Sequence, residues 1–94
     1  MHFVLYCLDK PGHANVRADN RPAHVEYLKA SADKIVAAGP LLSEDGEGMV
    51  GSTLILELAD KTEAEAWAAN DPYAKAGLFQ SVDIRPWKKV FPAD

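Results

Sequence analysis

The chain predicts an α+β fold of the ferredoxin-like βαββαβ type, an antiparallel sheet with two helices on one face. Three observations lead there. Runs rich in β-branched and aromatic residues stand near both ends and in the middle, separated by two segments with helical apolar spacing. Glu44 to Gly48, built on Asp45-Gly46, is a hairpin signal between two apolar runs. The chain has 94 residues, 48% of them hydrophobic, which suits one domain over 1–94 with more apolar surface than so small a core can bury. The surplus is expected on the open face of the sheet, against another subunit.

Each element has its own justification. His2 to Leu8 reads as the first strand, closed by the turn signal Asp9-Lys10-Pro11-Gly12. Phe3, Leu5 and Cys7 form one apolar face and Val4, Tyr6 and Leu8 another, so the strand needs cover on both sides. Residues 13–20 read as polar and irregular. A helix is predicted from Arg21 to Ala38, with Pro22 in its first turn, Val25, Leu28, Ala32, Ile35 and Val36 on one face, and Gly39-Pro40 as its end. Leu41 to Ser43 begins the second strand. Met49 to Leu58 is the third, with Leu54, Leu56 and Leu58 alternating against Thr53, Ile55 and Glu57. Thr62 to Asn70 is the second helix, capped by Asp60 or Thr62. Asp71-Pro72 interrupts it, and Tyr73 to Leu78 reads as a short further turn closed by Gly77. Phe79 to Val90 is the fourth strand, with Pro86 marking a bend or an edge. Residues 91–94 are a tail.

Composition excludes several function classes. The net charge is −4 and there is no Lys/Arg cluster, which argues against nucleic acid. The first eight residues lack a basic n-region and a small-residue cleavage site and are too short to span a membrane; a cytoplasmic protein is expected. The single cysteine, Cys7, has no intrachain partner and reads as a buried structural thiol. His2, His13 and His24 show no i, i+4 spacing, and one cysteine makes no zinc pattern. Gly46-Glu47-Gly48 is too short and acidic for a phosphate loop, and no serine sits in a nucleophile elbow. The reading calls for no metal and no cofactor.

What remains is an acid/base candidate. His24 lies at the edge of the predicted apolar stripe, half toward the core and half toward a cleft; the ordinary alternative is a histidine satisfied by a carbonyl, or simply exposed. Asp71 before Pro72 is a natural helix N-cap, and one carboxylate can cap a helix and also face an imidazole. In a βαββαβ topology the start of the first helix and the end of the second can meet at one end of the sheet. Asp71 would then fix the tautomer of His24. Arg17 and Arg21, just upstream, are candidates to hold a substrate carboxylate bidentately, or are solvated surface arginines. Tyr73 is a candidate hydroxyl donor, like Tyr6 and Tyr27, with core packing as the alternative for each.

These residues resemble the YciI-like (YCII-related) domain family. The matching pieces run in order over nearly the whole chain: Asp9-Lys10-Pro11-Gly12, Arg21-Pro22-Ala23-His24-Val25-Glu26-Tyr27-Leu28, Gly39-Pro40-Leu41-Leu42, Asp45-Gly46 with Gly51-Ser52, Asn70-Asp71-Pro72-Tyr73 with Ala76-Gly77-Leu78, and Arg85-Pro86-Trp87. The resemblance implies a dimeric α+β barrel, a homodimer formed through the sheets, and an active-site His-Asp pair at His24 and Asp71. Similar folds include muconolactone isomerases, and the family includes a chloromuconolactone dehalogenase. Val25 departs from the leucine more usual after the histidine, which touches packing and not the site. The expectation is a small-molecule enzyme of isomerase, lyase or dehalogenase type acting on a small, anionic organic acid or lactone, with His24 and Asp71 catalytic and Arg21, Arg17 and Tyr73 binding substrate. The alternative is a non-catalytic dimer that only binds such a metabolite.

Overall fold

A computed structural model describes residues 1–93. Strands β1 (His2–Asp9), β2 (Ile35–Leu42), β3 (Met49–Glu57) and β4 (Phe79–Trp87) form one antiparallel sheet in the order β2-β3-β1-β4. Helices α1 (Ala14–Ala30), α2 (Lys61–Asn70) and α3 (Pro72–Lys75) complete the chain. The predicted ferredoxin-like α+β architecture is the one the chain adopts. The last residue of the predicted tail lies outside the described residues.

Period two on the central strands decides where the core sits. Phe3, Leu5 and Cys7 of β1 and Leu54 and Leu56 of β3 point to the helix side, where they pack with Leu58, Ala64 and Trp67. Burying each large side chain contributes ~1.5–3 kcal/mol. The opposite phase of β1 is open: Tyr6 is 45% exposed, and Leu8 is exposed too. The strand that reads as apolar on both faces is covered on one side only within the chain. α1 and its C-cap Ser31 are tied to α2 by two hydrogen bonds. Tyr27 Oη donates to the Trp67 carbonyl at 2.7 Å, and Trp67 Nε1 donates to Ser31 Oγ at 3.0 Å.

The first helix differs from its predicted bounds. It begins at Ala14, with His13 as its N-cap, so residues 14–20 of the stretch read as irregular are helical, and Pro22 lies inside the helix instead of in its first turn. The side chains that α1 buries are Arg17 and His24, so its inner face is polar there and shows no apolar periodicity. The helix stops at Ala30, and Ala32–Lys34 form a single 3₁₀ turn. Ile35 to Leu42, predicted in part as helix, is β2; its β-branched Ile35 and Val36 suit a strand, and Pro40 is tolerated because β2 is an edge. Gly39-Pro40 therefore sits within a strand and ends no helix. β4 ends at Trp87, short of the predicted Val90, and it too is an edge, as Pro86 suggested.

Other local readings agree with the structure. Gly46 adopts φ +77° in the β2–β3 hairpin, and Asp45 Oδ1 accepts from the Glu47 N–H. Asp60 Oδ1 accepts from the Glu63 N–H and caps α2. Gly77, at φ +75°, ends α3 with the Leu78 N–H returning to the Tyr73 carbonyl. No helix among the described residues is long and apolar enough to cross a membrane.

Candidate active site

The site grows from one face of α1. Arg17, Arg21, His24 and Leu28 follow i, i+4, i+7 and i+11, so they stack along one side of the helix. All four line a cavity of about 190 Å³, together with Ser52 of β3, Pro40 of β2 and Tyr73 of α3. His24 sits in the third turn of α1, well away from its N-terminus.

The α2–α3 junction supplies the carboxylate. Asp71 ends α2 with extended backbone, and Pro72 at the next position restarts the helix as α3. Asp71 Oδ1 accepts from the Tyr73 N–H at 2.9 Å and lies 2.9 Å from His24 Nδ1. Both groups are buried, with His24 8% and Asp71 2% exposed. The carboxylate oxygen already accepts one N–H, so the Nδ1 of a neutral His24 carries the proton and donates to it. Nε2 is left as the ring's basic nitrogen.

Tyr73 lies under this pair. Its ring stacks on the His24 imidazole with centroids 4.0 Å apart and planes 16° off parallel. The Arg17 guanidinium carbon is 4.6 Å from the same ring's centroid. Arg17 is in turn held from the sheet. Its Nε donates to Asp9 Oδ2 at 2.7 Å, and its Nη2 donates to Asp9 Oδ1 at 2.9 Å and to Ser52 Oγ at 3.0 Å. This is a bidentate, charge-assisted pair, and Arg17 is only 6% exposed.

Burial sets the electrostatics of the surroundings. It works against the Arg17 charge, but the hydrogen bond and charge of Asp9, then Tyr73, outweigh it and hold the guanidinium protonated above its ordinary range. Burial raises the Tyr73 phenol; Arg17 and Arg21 pull it down by less, so the hydroxyl stays protonated. Cys7, in the core beneath the site, is pushed up to about 12, chiefly by burial and then by Asp71 and Asp9, with Arg17 opposing.

Residues 1–88 match the family model of the YCII-related domain. The chain belongs to that family. It is 38% identical to the protein YciI of Escherichia coli O6:H1 over 98 residues, covering 97% of this chain and 100% of that protein. It is also similar to 5-chloro-2-hydroxyhydroquinone dehydrochlorinase (TftG) of Burkholderia phenoliruptrix, solved in complex with 2,5-dihydroxybenzoquinone: 39% identity, TM-score 0.89, and 100% of each chain covered. A Pseudomonas aeruginosa structure shares the fold at 16% identity and TM-score 0.55, over 95% of this chain and 92% of that one.

In this YCII-related domain the five expected residues, His24, Asp71, Arg21, Arg17 and Tyr73, come together at one cavity or, for Asp71, directly behind it. Tyr6 and Tyr27 do not: Tyr6 faces the open side of the sheet and Tyr27 bonds to α2. Two participants went unnoticed in the sequence, Asp9 and Ser52. Period two carries the signal. Asp9 continues the inward phase of Phe3, Leu5 and Cys7, and Ser52 that of Leu54 and Leu56, so both are polar residues aimed at the helices. Among the described residues no group of three or more His, Cys, Asp or Glu side chains is placed to share a metal ion.

Proposed function

We propose that this domain is a small-molecule acid/base enzyme of dehalogenase, lyase or isomerase type. The observation that carries the reading is the buried 2.9 Å contact between His24 Nδ1 and Asp71 Oδ1 at the wall of a cavity. Asp71 orients the ring, and Nε2 does the proton transfer. Arg21, an exposed cation on the same helix face, meets an anionic group of the substrate, and Tyr73 forms the floor.

In an elimination, His24 Nε2 takes a proton from a carbon next to a carbonyl. The electron pair left behind forms a C=C bond, and a halide leaves the adjacent carbon with the electrons of its own bond. The net change is loss of HX, with no oxidant or reductant. Without a leaving group, the enolate is reprotonated elsewhere and the outcome is isomerisation. The similarity to a dehydrochlorinase crystallised with a dihydroxybenzoquinone supports a hydroxylated six-carbon ring or a related lactone as the substrate class.

The same reading makes the protein a cytoplasmic homodimer. The open apolar phase of β1, with Tyr6 and Leu8 exposed, supports a second copy on that face. An unpaired, buried Cys7 suits a reducing compartment.

The test is turnover of 5-chloro-2-hydroxyhydroquinone and of a panel of small lactones and enol acids, followed by chloride release or ultraviolet absorbance. Turnover of at least one compound is expected. Saturable binding across the panel with no product formed would instead establish a metabolite-binding protein.

A further inference from the structure

We infer that the two arginines of the α1 face divide the work: Arg21 holds the substrate anion, while Arg17 is a positioning residue that acts on His24 through the ring of Tyr73. The inference rests on the acid/base reading above and assigns each arginine a separate part in it.

Arg17 faces the cavity but has already been neutralised. Its Nε and Nη2 are committed to both oxygens of Asp9 and to Ser52 Oγ. A substrate anion approaching it meets the Asp9 carboxylate as well, and the two negative charges repel. Arg21 lies one turn further along the same face and lines the same cavity. It is exposed and, among the described residues, enters no ion pair. A cation with free donors at the mouth of a cavity is suited to recruit an anion, and a paired one behind it is not.

Arg17 has a different opportunity. A single hydrogen bond from Nδ1 to Asp71 fixes the direction of the His24 ring but leaves rotation about that bond free. A stacked ring fixes the plane. Tyr73 supplies that ring at 4.0 Å and is itself held at two points, by its N–H on Asp71 Oδ1 and by the Arg17 guanidinium at 4.6 Å from its centroid. Asp9 on β1 and Ser52 on β3 anchor Arg17 to the sheet. The run of contacts Asp9–Arg17–Tyr73–His24 therefore ties the helix-borne imidazole to the two central strands of the sheet. A planar guanidinium can pair in a fork and lie against an aromatic ring at once; an ammonium cannot.

The experiment compares Arg17→Lys with Arg21→Gln by two readouts that need no turnover. One is the dissociation constant of 2,5-dihydroxybenzoquinone, an anion at neutral pH, by absorbance titration at low and high salt. The other is the NMR signature of the His24 ring, its tautomer and the sharpness of its Nδ1–H resonance. Arg21→Gln is expected to weaken binding ~10-fold or more and to remove most of the salt dependence, with the His24 signals unchanged. Arg17→Lys is expected to keep the dissociation constant within ~3-fold while broadening the Nδ1–H signal and mixing tautomers. Where substrate turns over, Arg17→Lys lowers kcat and shifts its pH profile, whereas Arg21→Gln raises KM.

Should Arg17→Lys fail to fold by its thermal melt, the double variant Asp9→Asn, Arg17→Gln keeps a neutral hydrogen-bonded pair and carries the same expectations. An arginine-17 variant that weakens binding as much as Arg21→Gln, with the His24 spectrum intact, overturns the inference. So does a wild-type protein that does not bind the probe. Probe binding without turnover in the wild type sinks the acid/base reading instead and leaves the division of labour standing.

Discussion

Asp71 makes two contacts through one oxygen, and substitution can separate them. Asn is as good an N-cap as Asp, so Asp71→Asn is expected to keep the Tyr73 N–H satisfied and to change stability by less than ~1 kcal/mol in urea unfolding. It removes the carboxylate 2.9 Å from His24 Nδ1, and under the proposed acid/base role a rate loss within the ~10²–10⁴-fold range is expected. Asp71→Ala loses the cap as well and leaves a buried imidazole N–H without a partner; a cost of about 2–4 kcal/mol is expected. Equal stability of the Asn and Ala variants would contradict the double role. Cys7 offers a second prediction. A thiol raised from 9.0 to about 12 is protonated and buried, so iodoacetamide at pH 8 should label it only as the protein unfolds in urea. The sign of the linkage follows from the direction of the shift. Folding favours the protonated thiol, so its contribution is complete below 9.0 and is lost as pH rises from there to about 12.

The strands, their alternation and the caps were legible because each rests on local chemistry: period two in β3, Asp45-Gly46 at the hairpin, Asp60 before α2 and Asp71-Pro72 before α3. The bounds of α1 and β2 were not. The buried face of α1 is built from Arg17 and His24, which a search for apolar spacing passes over, and Ile35-Val36 fits a helix stripe as well as a strand until the sheet gives it neighbours. The same misplacement put His24 near a helix start, whereas it sits mid-helix, where the long face from Arg17 to Leu28 can line a cavity. A prediction belongs to β3. A Cβ at Gly51 would run into the Cys7 carbonyl of β1 and come within 2.8 Å of Leu41 Cδ1. Backbone cannot yield cheaply there, so Gly51→Ala is expected to cost ~1–3 kcal/mol in urea unfolding. It should also displace its neighbour Ser52, the sheet's hydroxyl partner of Arg17. An unchanged denaturation midpoint would show that β1 and β3 are not so closely apposed.

A chain of 10.2 kDa with one sheet face open can hide that face against a second copy of itself. Light scattering at micromolar concentration is expected to return about twice the chain mass, and Tyr6→Glu to return it to that of a monomer. A wild-type monomer would contradict the dimer and leave the site untouched, because its five residues and their two sheet anchors all come from one chain. The family membership and the fold follow from the sequence and from its relatives; the proposed chemistry depends on one imidazole. Turnover of the panel compound that the wild type converts, compared between wild type and His24→Gln at saturating substrate and with 2,5-dihydroxybenzoquinone affinity measured in parallel, tests that dependence most directly. A rate at least ~100-fold lower in the variant, with affinity changed by no more than a few fold, is expected. A His24→Gln protein that turns the compound over as fast as wild type would contradict that dependence.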